Sequence, residues 1–299
     1  MKRNLIIARC GPTSLHPHWL LGAEANFDLV VTYFGETVPE AWMDQGYPII
    51  PIKGPKWRGL HQYLQDYPHW KDYERIFFPD DDLMFDACLA NALFDSARDY
   101  HADLCQPALD AFSHGSHVIT LAYGSFKLRI TNFVELMCPL MSVRFLSTCR
   151  HLFQESDSGW GMDAYWPQLL LSHNLNPPMI FDQHTITHTR AVGSAAHGTS
   201  GHIHPLQESA DFKRKFLVSE EANLTIAGLL KNGQRLDAWR TRDQLMLKLI
   251  ADAVAWHSRD PSLMVTTVRE ILNSHRQPSA WLSGERRLQL DSLLTTSQS

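Results

Sequence analysis

No stretch of eighteen or more apolar residues occurs in the 299 residues, so no segment reads as a membrane-spanning helix. Cysteine is scarce: Cys10, Cys88, Cys105, Cys138 and Cys149 are five, an odd number, widely spaced and without a CxxC pair. That pattern argues against a disulfide framework or a zinc site and fits reduced thiols in a cytoplasm. GxxxxGK[ST] is absent and no GxGxxG opens a helix, which excludes a P-loop and disfavours a dinucleotide hydride enzyme. A strong basic stripe is missing too. Net charge is −5; residues 1–210 carry 14 Lys+Arg against 22 Asp+Glu, and residues 211–299 carry 13 against 10. Nucleic acid is therefore not expected as a partner, and the asymmetry suggests two regions with different roles. The opening MKRNLIIARCG is basic then apolar, but its apolar part is too short for a secretory signal and no small-residue cleavage site follows. It reads as a first strand.

Hydrophobic content of 44% and charged content of 20% are those of a soluble globular protein long enough for one large domain and an appendage. Apolar strand-like runs at residues 5–8, 27–34, 47–52, 76–78 and 102–108 alternate with helix-like spacing from Trp57 and over residues 87–100. Such alternation predicts an α/β fold, a Rossmann-type, mostly parallel sheet flanked by helices. Ligands of such sheets lie beyond the carboxyl ends of the strands. Cys10-Gly11, the basic loop Lys53–Lys56 with Trp57 behind it, and Asp80–Asp82 all fall at predicted strand ends. A basic Gly-containing loop and an acidic loop on one rim suggest a divalent metal bridging to a diphosphate. Lys53 and Lys56 read equally well as an ordinary solvated turn.

The acidic turn organises the rest. In RIFFPDDDLMFD (residues 75–86) a buried strand ends at Pro79, three carboxylates follow, and the chain turns apolar again. Adjacent carboxylates raise one another's pKa unless a cation sits among them; an isolated acidic turn reads as simply solvated, but the buried strand in front and the apolar run behind favour a hard divalent ion here. Residues 129–135, RITNFVE, read as a strand with Thr131, Phe133 and Glu135 on one face. Arg129 and Asn132 then face a polar ligand, or are explained by a buried Arg129–Glu135 pair or edge exposure. In SGWGMD (residues 158–163), two glycines permit a tight loop that presents the Trp160 indole, with Gly161 beside it and Asp163 opening a helix. Aromatic faces stack on sugar rings, and a carboxylate accepts a hydroxyl proton. His188 and Arg190 close an apolar stretch at residues 180–190.

KGPKW, FPDDDL, RITNFVELMCP, SGWGMD and HTR occur in this order across residues 4–193. The set resembles a plant and bacterial family of unknown function that is similar to type-A-fold glycosyltransferases (GT-A), which carry a DxD motif. The resemblance implies a nucleotide-sugar donor and Mn²⁺ or Mg²⁺, with Asp82 on the metal and Asp80 toward the ribose or sugar. It implies His188 as the third metal ligand, so that the metal set is Asp80, Asp82 and His188. Cys10, Gly11, Lys53, Lys56, Trp57, Asp80 and Asp81 are then expected at the donor, and Arg129, Asn132, Trp160, Gly161 and Arg190 at the substrates. The Gly-Trp-Gly loop followed by an acid is similar to the acceptor-side motif of inverting galactosyltransferases, which implies Asp163 as the base. The acceptor implied is a hydroxyl of a glycan or glycolipid.

Beyond about residue 195 the character changes. GSAAHGTSGHIH (residues 193–204) reads as a linker, and residues 220–230, 237–257 and 262–274 read as helices. The expected division is a transferase-like domain over 1–194, a linker over 195–210 and a helical extension over 211–299. Leu245, Leu249, Ala253 and Trp256 form an apolar stripe suited to packing on the first domain, with peripheral membrane contact as the alternative. Residues 295–299 read as frayed. Two rival functions remain open: a Mg²⁺-dependent phosphohydrolase, and a non-catalytic carbohydrate-binding protein on the same fold. A phosphohydrolase with a DxD nucleophile would place it after the first strand, and here it begins at residue 80.

Overall fold

The computed structural model describes residues 2–115, 117–191, 204–219, 221–256, 261–275, 280–282, and 287, 290 and 293. Strand β1 (Asn4–Cys10) is buried along its whole length, as an apolar run covered on both faces should be. It pairs in parallel with β2 (Phe27–Tyr33), which pairs in parallel with β3 (Ile49–Pro51). Helix α1 (Lys56–Asp66) starts after Pro55, buries Trp57, Leu60, Tyr63 and Leu64 on one stripe, and stops before Pro68. β4 (Arg75–Phe77) lies parallel to β1 on its other side. After the acidic turn come β5 (Leu83–Met84) and α2 (Ala87–Asp99), whose N-terminus is capped by Asp86 accepting from the Leu89 N–H at 2.9 Å. There follow β6 (Leu104–Leu109), β7 (Phe126–Thr131), β8 (Leu140–Ser142), α3 (Val143–Cys149), α4 (Met162–Ser172) and β9 (Met179–His188). The chain continues through α5 (Pro205–Lys215), β10 (Thr225–Leu230), β11 (Arg235–Asp237), α6 (Arg242–Trp256) and α7 (Pro261–Ser274).

One sheet runs β11-β10-β7-β9-β6-β8-β4-β1-β2-β3, with β5 paired to β9 beside it. The α/β architecture with helices flanking a large sheet is the expected one. Its parallel part is narrower than expected: β3-β2-β1-β4 and the β6–β9 pair are parallel, while the remaining pairings are antiparallel. Antiparallel neighbours need no crossover helix, and none separates β10 from β11. Trp19, Trp57, Trp70 and Trp166 are fully buried in the core.

Three local expectations are corrected. Residues 220–230 are not helical; β10 occupies Thr225–Leu230 and pairs antiparallel with β7 and β11. β7 ends at Thr131, so Thr131, Phe133 and Glu135 share no strand face. Helix α6 begins only at Arg242, because Asp237 belongs to β11 and its carboxylate accepts from the Trp239 and Arg240 N–H groups in the turn between them. Leu245, Leu249 and Ala253 are buried as the stripe requires. The Trp256 side chain, residues 195–203 of the expected linker and the 295–299 tail lie outside the described residues, and residues 205–210 of that linker belong to α5.

Candidate metal centre and adjoining cavity

β4 delivers the acidic turn. Proline at 79 cannot extend the ladder, and backbone bonds then fix the turn's shape. The Asp80 N–H donates to the Met137 carbonyl at 2.7 Å, and the Leu15 N–H donates to the Asp81 carbonyl at 2.7 Å. The Asp82 carbonyl accepts from the Thr189 N–H at 3.1 Å and from its hydroxyl at 2.8 Å. β9 reaches the same place because β5 pairs with its end, Leu83 opposite His188.

Each carboxylate of the triplet has a different partner. Lys56, the first residue of α1, donates from Nζ to Asp80 Oδ1 at 2.5 Å and to the Phe78 and Leu136 carbonyls. Asp81 Oδ2 accepts from the Gly11 N–H at 2.7 Å, and its Oδ1 lies 3.3 Å from Arg190. Asp82 Oδ2 lies 3.3 Å from His188 Nε2 and 3.7 Å from Arg190 Nε. Burial raises the pKa of Asp80 and Asp81 against the pull of Lys56, and of the Gly11 N–H and Arg190, respectively. Burial also penalises the Asp82 carboxylate, but His188 and Arg190 outweigh it and its pKa is lowered. For His188, burial is likewise overcome, by Asp82 and by the His114 carbonyl, and the pKa is raised.

Asp80, Asp82 and His188 bring ligand atoms within 4.8 Å of one another and form a cluster able to hold a metal ion. Two observations fit that use. Asp82 Oδ1 is buried without a hydrogen-bond partner among the described residues, an expensive state for a carboxylate oxygen. His188 donates from Nδ1 to the His114 carbonyl, so a neutral ring presents its Nε2 lone pair toward Asp82. Two carboxylates and an imidazole are a donor set that first-row divalent metals accept.

The cluster opens into a cavity of about 1750 Å³. The Gly-Trp-Gly loop lines the same cavity. Gly159 has φ +80°, and a Cβ there would collide with the Trp57 indole; Gly161 has φ +100° and caps α4. The Ser156 hydroxyl accepts from the Gly159 N–H at 2.8 Å, and the Glu208 carboxylate on α5 accepts from the Asp157 and Ser158 N–H groups at 2.5 and 2.9 Å. Trp160 and Asp163 line the cavity from this loop and the first turn of α4. Burial pushes the Asp163 pKa up to about 6 against the pull of nearby N–H groups and Lys213.

The structure gathers Lys56, Trp57, Asp80, Asp81, Asp82, Asn132, Trp160, Gly161, Asp163, His188 and Arg190 around this one cavity. Asn132 is there with its amide committed, donating to the Ala222 carbonyl at 3.0 Å and accepting from the Leu224 N–H at 2.6 Å. Cys10 and Gly11 lie behind the lining; Gly11 acts through its N–H to Asp81, and Cys10 is fully buried. Lys53 turns away, donating to the Gly35 carbonyl at 2.6 Å and to Glu36 at 2.9 Å. Arg129, expected against a ligand or Glu135, is instead fully buried against Asp182, Nε to Oδ2 at 3.0 Å and NH2 to Oδ1 at 2.9 Å. Sequence reasoning missed Arg9, whose guanidinium donates to the Ile52 and Gly54 carbonyls at 2.6 and 2.5 Å and so shapes the loop before Lys56. An arginine inside the apolar run LIIARC was the available signal. Glu208 and Lys213 of α5 also line the cavity, and nothing local in the sequence marks them.

No family model matches the chain, and no curated protein matches it. Among solved structures it is similar to S. aureus TarS, at 12% identity and a TM-score of 0.44 over 100% of this chain and 55% of that one. It is similar to the fragment TarS 1–349, at 12% identity and a TM-score of 0.43, covering 92% of this chain and 89% of the fragment. The complex of that fragment with UDP-GlcNAc gives 12%, 0.44, 92% and 90%. This chain thus spans about half the length of the whole TarS structure. Likeness at this level leaves function to the residues themselves. No helix among the described residues is long and apolar enough to cross a membrane.

Proposed function

We propose that the chain is a GT-A-like, metal-dependent glycosyltransferase that moves a sugar from a nucleotide-diphosphate donor to a glycan or glycolipid hydroxyl in the cytoplasm, with inversion. The observation that carries this reading is one cavity lined both by an Asp-Asp-His cluster and by a half-buried carboxylate, Asp163, with the Trp160 indole. Asp80, Asp82 and His188 would hold Mn²⁺ or Mg²⁺, which when bound supplies Lewis-acid relief of the charge developing on a departing diphosphate. Imidazole among the ligands favours Mn²⁺, since Mg²⁺ prefers oxygen donors alone.

The remaining work falls to the chain's own groups. Lys56 and Arg190 stand beside the triplet and supply the positive charge a diphosphate needs. Trp160 offers a flat apolar face for a sugar ring. Asp163 accepts the acceptor hydroxyl proton as the new C–O bond forms at the anomeric carbon and the bond to the diphosphate breaks. A positioned base contributes roughly 10²–10⁴-fold. A carboxyl with a pKa of about 6 is mostly ionised at neutral pH yet more basic than an exposed aspartate.

The test is a panel of nucleoside diphosphates and sugar nucleotides, read by thermal stabilisation with and without Mn²⁺ and by release of free nucleotide. Metal-dependent stabilisation and turnover with one donor class is expected. Absence of both across the panel overturns the reading, and release of phosphate from phosphomonoesters would replace it with the hydrolase.

A further inference from the structure

The cavity is larger than a single small ligand needs. Small-molecule pockets occupy roughly 300–1,000 Å³, and this one is about 1750 Å³. One face of α4 forms part of its lining. Asp163, Ala164, Pro167, Gln168, Leu171 and Ser172 all line it, at the one-and-four spacing of a single helical stripe. From Asp163 to Ser172 that stripe runs about 14 Å at 1.5 Å per residue. The base of the proposed reaction is thus at one end of this stripe, with about two and a half turns of helix leading away from it. Ser219 and Asn223 line the cavity too, and the Gln168 amide donates to the Ser219 hydroxyl at 2.8 Å.

The chemistry of this wall is particular. Beyond Asp163 the stripe carries no charge; it alternates the apolar Ala164, Pro167 and Leu171 with the amide and hydroxyl of Gln168 and Ser172. Glu208 lies on the α5 side with its carboxylate committed to the Asp157 and Ser158 N–H groups. A polyanion would want a row of cations, which the stripe does not supply. The Gln168 amide donates to the Ser219 hydroxyl and the Ser172 hydroxyl to the Leu169 carbonyl at 3.1 Å, so these groups offer a guest acceptor oxygens, which sugar hydroxyls can bond and a hydrocarbon tail cannot. A neutral sugar chain has apolar C–H faces and a fringe of hydroxyls, the complement of that alternation.

We propose that α4 forms the floor of an extended acceptor subsite for a neutral oligosaccharide, its non-reducing or reducing end at Asp163 and its following units along Gln168, Leu171 and Ser172. This rests on the transferase reading for its direction, but not for the binding itself. The test is calorimetry on the full chain, without donor or metal, with neutral gluco- and chito-oligosaccharides of one to six units, and with an alkyl monosaccharide of similar length. Affinity in at least one series should rise tenfold or more from one unit to four or more, and Gln168→Ala and Leu171→Ala, each checked for native melting, should flatten that rise. Affinity independent of length in both series, a rise that neither variant flattens, or tighter binding of the alkyl monosaccharide than of every oligosaccharide overturns the proposal. Length-dependent binding without turnover of any sugar nucleotide would sink the transferase reading and leave the groove standing. Turnover onto a monosaccharide with no gain from added units would do the reverse.

Discussion

Replacing Asp82 by asparagine isolates the metal from everything else the site does. The side chain keeps its shape, loses its charge and turns one oxygen into a group that cannot ligate. Without metal, two effects oppose each other. His188 and Arg190 lose a carboxylate partner at 3.3 and 3.7 Å, while a buried, unbonded anionic oxygen disappears. The net change in stability is expected to stay within about 1 kcal/mol. With Mn²⁺ at a hundred times the dissociation constant, the wild-type chain gains about 2.7 kcal/mol, which raises its melting temperature by roughly 5–10 °C. Loss of one of three protein ligands that weakens binding about a hundredfold leaves about 0.4 kcal/mol at the same concentration, a shift of about 1 °C. Differential scanning fluorimetry at pH 7.5 reads both shifts directly. An Asp82→Asn chain that melts like the wild type without metal and is still stabilised by the full amount with it would place the ion elsewhere, and the Asp-Asp-His cluster would be only a salt-bridged turn.

Asp163→Asn should lower kcat by roughly 10²–10⁴-fold with little change in donor affinity, measured by steady-state transfer. In the wild type the rate should climb with pH through a midpoint near 6, because the base works deprotonated. The same raised pKa makes the folded chain hold a proton that the unfolded chain releases near pH 4, so Asp163 costs stability progressively from about pH 4 to pH 6, and the asparagine variant should lose that part of the dependence. Gly159→Ala combines φ +80° with a collision against the Trp57 indole and should destabilise by at least about 2 kcal/mol in urea unfolding. Asp182→Ala strands the Arg129 guanidinium in the core and should cost about 3–5 kcal/mol, while Mn²⁺ binding by the protein that remains folded stays within a factor of about two. A large loss of metal affinity in that variant would return Arg129 to the ligand site.

Much of the site was legible because local chemistry announces it. A buried strand that ends in proline and three aspartates marks where charge is concentrated, and the glycines of the Gly-Trp-Gly loop mark backbone that other residues would strain. Long-range pairing was not legible. Asp182 finds Arg129 because β9 carries extra residues between Phe181 and Thr185, where its register against β6 shifts. Lys53 and Lys56 look alike in sequence, but only Lys56 begins α1 and so reaches Asp80. The segment ANLTIAGLL has the alanines and leucines of a helix, and pairing with β7 and β11 overrides that propensity.

Those counter-charges explain why the aspartate triplet can exist at all. Three carboxylates meet two permanent cations, Lys56 and Arg190, and one imidazole whose charge is conditional. With His188 protonated the group is neutral, and with His188 neutral it keeps one negative charge. The protein alone balances the turn by holding one proton, on His188 or on a buried carboxyl whose pKa is raised, and a proton on His188 competes with a metal for the same nitrogen. Metal affinity should accordingly fall as pH drops, more steeply than two aspartates alone would require, and His188→Gln should remove the excess steepness along with part of the affinity. Isothermal titration with Mn²⁺ in buffers of different ionisation enthalpy counts the protons released. Release of a proton by the wild type at pH 6 that is lost in His188→Gln is the expected result, and equal release by both chains would take the imidazole out of the site.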